Sequence, residues 1–149
     1  MMSKIHPTAI IDSQVRLGND VEIGPFCIIE NDVEIGDNVF IGARVTIHSG
    51  SRIGNGTRIL DGAIIGMEPQ DLKYKGQIRQ MAAIERGTAT GTGYTTVGNN
   101  TLIMSLAHIA HDCQVGNNVI ISHGSGLAGH VIVEDRVVIG GLAGVHQFC

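Results

Sequence analysis

The chain has 149 residues, 43% hydrophobic and 16% charged, which predicts one globular domain and excludes a disordered or fibrous polymer. A net charge of -4 offers no basic surface to nucleic acid, and no apolar run reaches the roughly 18 residues that span a bilayer. The unusual feature is a total of 21 glycines beside two Tyr, three Phe and no Trp. We therefore expect a repeated backbone with tight corners around small aliphatic side chains.

An aliphatic residue returns every six positions from Ile5 to Ile65, and again from Val97 to Val145. A small or β-branched residue follows four positions later, and Gly often follows at once. This period matches neither an α-helix nor simple strand alternation, and it is typical of a hexapeptide β-helix. Three hexads would close a triangular coil of 18 residues. The fold class is therefore predicted as all-β, a single-stranded parallel β-helix of about eight coils. Gly or Asn at the corners would allow positive φ, with Asn recurring at Asn19, Asn38, Asn55, Asn99 and Asn117.

One domain is predicted over residues 1–149, with hexapeptide blocks at 5–70 and 97–149. Residues 67–96 break the register, because residues 65 and 97 are 32 apart and 32 is not a multiple of six. Two weak hexads begin at Ile78 and Ile84 and leave two loop excursions, near 67–77 and near 88–96. Polar loops on a rigid scaffold often carry binding groups. A tolerated insertion is the alternative.

Five of the seven histidines fall between residues 108 and 146. Residues 18 apart should stack on successive coils, so His111, Gly129 and Gln147 are predicted to form one column. Asp112, His130 and Phe148 should form the next. Three interpretations of these columns are open: a metal site, a histidine base beside a carboxylate, or a polar face without chemistry.

The remaining histidines and the cysteines receive structural interpretations. His108 is predicted around the corner from His111, His48 on a solvated face of the coil, and His6 near the terminus. The three cysteines are expected to be reduced thiols, as in a cytoplasmic protein, with two of them packed as small core residues, Cys27 and Cys113.

Five stretches carry a resemblance to a known family: residues 70–74 (QDLKY), 86–88 (RGT), 108–113 (HIAHDC), 127–130 (LAGH) and 145–149 (VHQFC). In this order they resemble the acyl-carrier-protein:UDP-N-acetylglucosamine O-acyltransferases of lipid A biosynthesis, over nearly the whole chain. The resemblance implies a left-handed β-helix and a cytoplasmic homotrimer that uses no metal or other cofactor. It also implies no nucleic-acid partner and no stable membrane insertion.

The same resemblance implies the reaction and its residues. An R-3-hydroxyacyl group would move from acyl carrier protein to the 3-hydroxyl of UDP-N-acetylglucosamine, the first step of lipid A biosynthesis, in clefts between subunits. His111 matches the catalytic base, Asp112 the residue that orients it, and Gly129 the backbone N–H that binds the oxyanion. Substrate-binding positions match at Asp71, Leu72, Lys73, His108, His130, His146 and Gln147.

Three departures from the family pattern stand beside these matches. Glu85 replaces a family histidine, and the segment between Lys73 and Arg86 is about eleven residues shorter than in the family. Losing one hexad predicts that the two blocks are out of phase by a third of a turn, unless a loop crosses the missing face. The sequence also stops at Cys149 in mid-hexad, which suggests a fragment whose last coil forms an association site. The alternatives are therefore an impaired hexapeptide scaffold or a related transferase with another acceptor.

Overall fold

A computed structural model describes residues 3–67 and 93–149 of the chain. Within these two ranges the chain forms twenty short parallel strands and no helix. It follows that no helix of the described part is long and apolar enough to cross a bilayer. The strands lie on three sheets, and consecutive strands occupy successive sheets, so the chain winds as a triangular β-helix.

Each sheet takes every third strand, and the strand bounds are as follows. Sheet A contains β1 (Lys4–Ile5), β4 (Glu22–Ile23), β7 (Phe40–Ile41), β10 (Arg58–Ile59), β13 (Leu102–Ile103), β16 (Ile120–Ile121) and β19 (Val138–Ile139). Sheet B contains β2 (Ile10–Ile11), β5 (Ile28–Ile29), β8 (Thr46–Ile47), β11 (Ile64–Met67), β14 (His108–Ala110), β17 (Gly126–Leu127) and β20 (Gly144–Val145). Sheet C contains β3 (Arg16–Leu17), β6 (Glu34–Ile35), β9 (Ser51–Ile53), β12 (Thr95–Val97), β15 (Gln114–Val115) and β18 (Ile132–Val133).

The predicted all-β solenoid is confirmed, but the number of coils is smaller than predicted. The described strands make six complete coils and two sides of a seventh, where about eight coils were expected. The reason lies at the interruption. Since β14 pairs directly with β11, no further coil lies between the two blocks.

The two blocks are also in phase, so the offset of a third of a turn that was expected without a loop across the missing face does not occur. Ile65 at the end of the first block is in register with Ile109, and Ile53 is in register with Val97. The chain leaves sheet B after β11 and returns on sheet C as β12, which is the next side of the prism. The weak hexads and most of both predicted excursions lie outside the described residues.

The inside of the prism is filled by the aliphatic residue of each hexad and by the small residue four positions later. Ile41, Ile59 and Ile103 stack on one another and are completely buried. The small positions Cys27 and Cys113 are also completely buried and both are free thiols, as predicted. Burying such side chains contributes about 25 cal/mol per Å² of apolar surface.

The corners use positive φ at a different position from the one predicted. Thirteen described non-glycine residues have positive φ, and they lie three positions after the inward aliphatic residue. Of the five corner asparagines that were expected to have positive φ, only Asn38 does. The other four lie two positions after the inward aliphatic residue, and their side chains form hydrogen bonds between successive coils. The Oδ1 atom of Asn117, for example, accepts the backbone N–H of Asn99, 18 residues before it, at 2.9 Å.

At Gly54 and Gly98, directly after the aliphatic residue, glycine is required by close approach and not by φ. A Cβ atom placed on Gly54 would lie 2.5 Å from the backbone carbon of Gly98 on the next coil. The same addition at Gly98 would lie 2.5 Å from the backbone carbon of Gly116. Real Cβ atoms do not approach backbone so closely, so any larger residue would push the coils apart.

Candidate active site

The polar residues predicted to act together lie where the chain turns from sheet B to sheet C. β14 ends at Ala110, and His111 and Asp112 make the corner. On the next coil Gly129 and His130 follow β17 in the same positions. The backbone N–H of His130 donates to the carbonyl of His111 at 3.1 Å, and the structure therefore places these residues in the expected columns.

His111 and Asp112 form a buried pair. Nδ1 of His111 lies 2.8 Å from Oδ2 of Asp112, and the two residues are only 6% and 2% exposed. The other carboxylate oxygen, Oδ1, accepts the backbone N–H of Gly93 at 2.9 Å. A buried carboxylate is stable only when hydrogen bonds compensate its lost hydration, and Asp112 has such bonds on both oxygens. With the proton on Nδ1, Nε2 of His111 is left with a free lone pair.

Gly129 lies directly against the His111 ring. A Cβ atom added to Gly129 would overlap Nε2 and Cε1 of the imidazole. Glycine is therefore the residue that lets the imidazole approach the backbone of the next coil. This contact brings the main chain of residue 129 beside the nitrogen that carries the lone pair.

His130 and Phe148 continue the stack away from His111. The rings of His111 and His130 meet edge to face with centroids 5.1 Å apart, and Phe148 stacks on His130 at 4.7 Å. Nε2 of His130 lies 3.8 Å from the same oxygen of Asp112 that binds His111. The carboxylate thus lies between two imidazole rings.

The other predicted substrate-binding residues are distributed along the same side of the coil. His108 points outward on β14, His146 and Gln147 follow β20 and are exposed, and Nδ1 of His146 lies 3.1 Å from the carbonyl of Gln147. Burial lowers the pKa of His108, and the charge of His48 lowers it further. Asp71, Leu72 and Lys73 lie outside the described residues, as does Glu85.

One prediction at this corner is wrong, because His48 is not on a solvated face. Its side chain is 19% exposed, and Nδ1 lies 3.1 Å from Oε1 of Glu30. Both residues follow sheet B strands at the same corner as His111. Since 48 and 30 differ by 18, the coil arithmetic that placed His111 over Gly129 also predicts this pair, and the sequence reasoning missed it.

A metal ion has one suitable place among the residues that the structure describes. His111, Asp112 and His130 each offer a ligand atom, and these atoms lie within 4.8 Å of one another. Two imidazoles and one carboxylate are ligands that Zn²⁺ accepts. The same residues can instead act in acid–base chemistry. In that case the lone pair of His111 takes up a proton and does not bind a metal.

Comparison with known proteins defines the class. The family described as bacterial transferase hexapeptide (six repeats) matches residues 14–49, 32–66 and 94–129. These matches cover more than half of the chain, which therefore belongs to the bacterial hexapeptide transferase family.

Within that family the chain is similar to one kind of enzyme. It is 48% identical over 157 residues to the acyl carrier protein–UDP-N-acetylglucosamine O-acyltransferase of Stenotrophomonas maltophilia (strain K279a), covering 98% of this chain and 60% of that protein. It is 50% identical over 158 residues to the enzyme of the same name from Paraburkholderia xenovorans (strain LB400), covering 99% of this chain and 60% of that protein. The chain thus spans about 60% of the length of these curated relatives.

Solved structures agree with this similarity. The UDP-N-acetylglucosamine acyltransferase from Campylobacter jejuni superposes with a TM-score of 0.75 at 44% identity, over 97% of this chain and 61% of that one. The Francisella novicida enzyme also gives a TM-score of 0.75, at 36% identity over 97% of this chain and 57% of that one. The predicted left-handed sense of the β-helix is confirmed by these neighbours.

Proposed function

We propose that this chain carries the acyl-transfer site of an acyl carrier protein–UDP-N-acetylglucosamine O-acyltransferase. The observation that carries the proposal is the buried His111–Asp112 pair with Gly129 against the imidazole. The similarity to named acyltransferases supports the choice of substrates. The acyl donor would be an R-3-hydroxyacyl thioester of acyl carrier protein, and the acceptor the 3-hydroxyl of UDP-N-acetylglucosamine.

The geometry supports a general-base mechanism. Asp112 holds the proton on Nδ1 of His111, so Nε2 takes the proton from the sugar hydroxyl as its oxygen attacks the thioester carbonyl. Negative charge then develops on the carbonyl oxygen, and the backbone N–H of Gly129 donates to it. When the tetrahedral intermediate collapses, the C–S bond breaks and the imidazolium returns its proton to the carrier thiolate. Protein and substrate supply every group, so the reaction needs no metal.

The remaining substrate contacts belong to the same proposal. His108, His130, His146 and Gln147 would contact the sugar and the acyl chain, since they lie along the corner that carries His111. Asp71, Leu72 and Lys73 would reach the substrate from the segment that follows β11. An ammonium group such as that of Lys73 suits a phosphate or a hydroxyl oxygen.

Three copies of the chain would form the active assembly in the cytoplasm, with each site in a cleft between neighbours. Support comes from exposed apolar side chains at the corner between sheets A and B, where Phe26 and Leu106 are each 62% exposed and Leu142 is 82% exposed. Such a surface fits a protein interface. A purely monomeric species in sedimentation velocity would contradict this assembly.

The catalytic proposal is tested by incubating the purified chain with UDP-N-acetylglucosamine and 3-hydroxyacyl carrier protein and measuring the acylated sugar nucleotide by mass spectrometry. We expect His111→Asn to lower kcat/KM by about 10²–10⁴-fold, the usual contribution of a general base. Glu134→Gln is the control, because Glu134 is exposed on the corner between sheets C and A, which carries neither the candidate site nor the proposed interface. The proposal fails if the wild-type chain gives no product or if His111→Asn is as active as wild type. A product on another acceptor would favour a related transferase instead.

A further inference from the structure

The hydrogen bond from Gly93 to Asp112 has a support outside the acyl-transfer site. Gly93 lies one coil before His111, since the two residues are 18 apart and the strands that follow them, β12 and β15, pair in register. Its backbone N–H donates at 2.9 Å to Oδ1 of Asp112, the oxygen that does not contact His111. Gly93 has no side chain, so the direction of this N–H depends on how the adjoining residues are held.

Tyr94, the next residue, is held through its ring by Arg52. The guanidinium carbon of Arg52 lies 4.6 Å from the centre of the Tyr94 ring, within the roughly 6 Å over which a cation and an aromatic face attract each other. Arg52 belongs to β9, and its register partner on β12 is Thr96. The contact therefore attaches residue 94 to the preceding coil.

Arg52 is itself fixed by two acidic residues. Its Nη2 lies 2.8 Å from Oδ1 of Asp32, its Nη1 donates to the backbone carbonyl of the same residue, and its Nε lies 3.6 Å from Oε1 of Glu34. The side chains of Arg52 and Asp32 are only 21% and 13% exposed, so water screens their attraction little. A planar guanidinium held in this way is a fixed surface on which the ring stacks.

Backbone pairing fixes β12 only from Thr95 onward. The N–H of Thr95 donates to the carbonyl of Gly50 at 3.0 Å, and the N–H of Thr96 donates to that of Cys113 at 2.9 Å. The ring contact of Tyr94 extends this attachment by one residue, to the neighbour of Gly93. The stack is thus placed to set the direction of the Gly93 amide.

We propose that Tyr94, held by Arg52, is a positioning residue that directs the Gly93 N–H onto Asp112 and so keeps this carboxylate oriented toward the imidazole. A buried carboxylate oxygen that loses its donor is destabilised, and a carboxylate that can rotate no longer fixes the proton on Nδ1 of His111. The catalytic consequence rests on the proposed function, in which Asp112 orients the base. Tyr94 and Arg52 act through Gly93.

The first test measures amide hydrogen exchange by NMR in the full chain without substrate. We expect Tyr94→Leu to speed exchange at Gly93 by about tenfold or more, because the bond to the carboxylate is lost, while Thr95 stays protected by its bond to Gly50. Tyr94→Phe keeps the ring and should preserve the protection of Gly93. Unchanged exchange at Gly93 in Tyr94→Leu overturns the proposal. An equal loss at Gly93 and Thr95 would show a merely structural role and overturns it as well.

A second stack of the same kind provides the matched control. The guanidinium carbon of Arg58 lies 4.6 Å from the centre of the Phe40 ring on sheet A, away from the corner that carries Gly93. Phe40→Leu should therefore leave exchange at Gly93 unchanged, and faster exchange there would indicate general loosening of the coil and overturn the proposal.

The role of Arg52 is tested by combining variants. Arg52→Gln should speed exchange at Gly93 as much as Tyr94→Leu does, and the double variant should speed it no further, because both changes remove one contact. Additive effects would mean that the two residues act separately, which overturns the proposal.

The last test measures kcat and KM. Tyr94→Leu should lower kcat about tenfold and leave KM within about twofold of wild type, since orientation of the base matters in the transition state, and Tyr94→Phe should restore kcat. A higher KM with unchanged kcat would place Tyr94 in substrate binding and overturn the proposal. If the wild-type chain transfers no acyl group, the proposed function fails, but the exchange measurement still decides whether Tyr94 and Arg52 direct the Gly93 amide.

Discussion

Two corners of the prism have the same backbone but different side-chain contacts. The first lies between sheets C and A, and the second lies between sheets B and C. At the first corner, Asn117 accepts the N–H of Asn99, and Asp135 accepts the N–H of Asn117 at 2.7 Å. At the second, the equivalent positions are His111 and Gly129. Gly129 has no side chain that can accept a hydrogen bond, and the imidazole of His111 occupies the space instead.

The comparison separates the contacts that hold successive coils together from the positions that are free to carry functional side chains. Both corners have parallel strands on each side with partners 18 residues apart, so strand pairing alone holds either corner together. One corner adds a ladder of carboxamide and carboxylate acceptors, which stabilises the stacking. The other has a buried carboxylate, stacked rings and a glycine, which position groups for chemistry. We expect substitutions at the first corner to change stability and those at the second to change activity.

The largest effect is expected from adding one methyl group at the second corner. Gly129→Ala would place Cβ on the His111 ring and displace it, so we expect acyl transfer to fall by about 10²-fold or more. Gly126→Ala is the matched control, because a Cβ atom there meets nothing within 4 Å. Steady-state kinetics on both variants measures the difference. Equal activities would mean that close contact between residue 129 and the imidazole is unimportant.

A smaller effect is expected at the first corner, on stability alone. Asn117→Ala removes the acceptor of the Asn99 backbone N–H and side-chain amide, which should cost about 1 kcal/mol and leave kcat unchanged. Asn118→Gly is a suitable control, since Asn118 is exposed and glycine readily adopts its φ of 56°. Urea unfolding monitored by circular dichroism compares the two. A drop in kcat for Asn117→Ala would contradict the division between the corners.

The smallest effect is expected at the core residue Cys113, next to the second corner, where the stability of the fold should change only at alkaline pH. Burial raises the pKa of Cys113 to about 11 from an ordinary value of 9.0, and the nearby Asp112 charge adds to the shift. Because the unfolded thiol ionises first, stability present below pH 9 is lost as the pH rises from about 9 to 11. Cys113→Ala should remove this part of the slope, measured by urea unfolding at several pH values. The exposed Cys149 provides the control through Cys149→Ala, and an equal change in both variants would refute the assignment.

Much of the candidate site could be predicted because the coil converts sequence separation into distance. A separation of 18 placed His130 over Asp112 and Gly129 over His111. The same separation joins Glu30 to His48, so the missed pair was within reach of the method. The hydrogen bond from Gly93 to Asp112 could not be predicted in this way, since Gly93 lies within residues 67–96, where counting in sixes fails.

The sequence by itself determined the coil, its interior and the columns at its corners, because a period of six residues with an inward aliphatic side chain has one favourable way to bury that side chain. Only the tertiary structure decided how the two blocks join. The loss of one hexad relative to the family predicted an offset unless a loop crosses the missing face, whereas direct pairing of β11 with β14 and of β9 with β12 joins the blocks in phase. The inward aliphatic residues of the two blocks therefore stack directly across the interruption, with Ile65 against Ile109 and Ile53 against Val97, and all four are buried. The in-phase join also keeps the Glu30–His48 pair on the same corner as His111 and Asp112, which puts both carboxylate–histidine pairs on one side of the molecule.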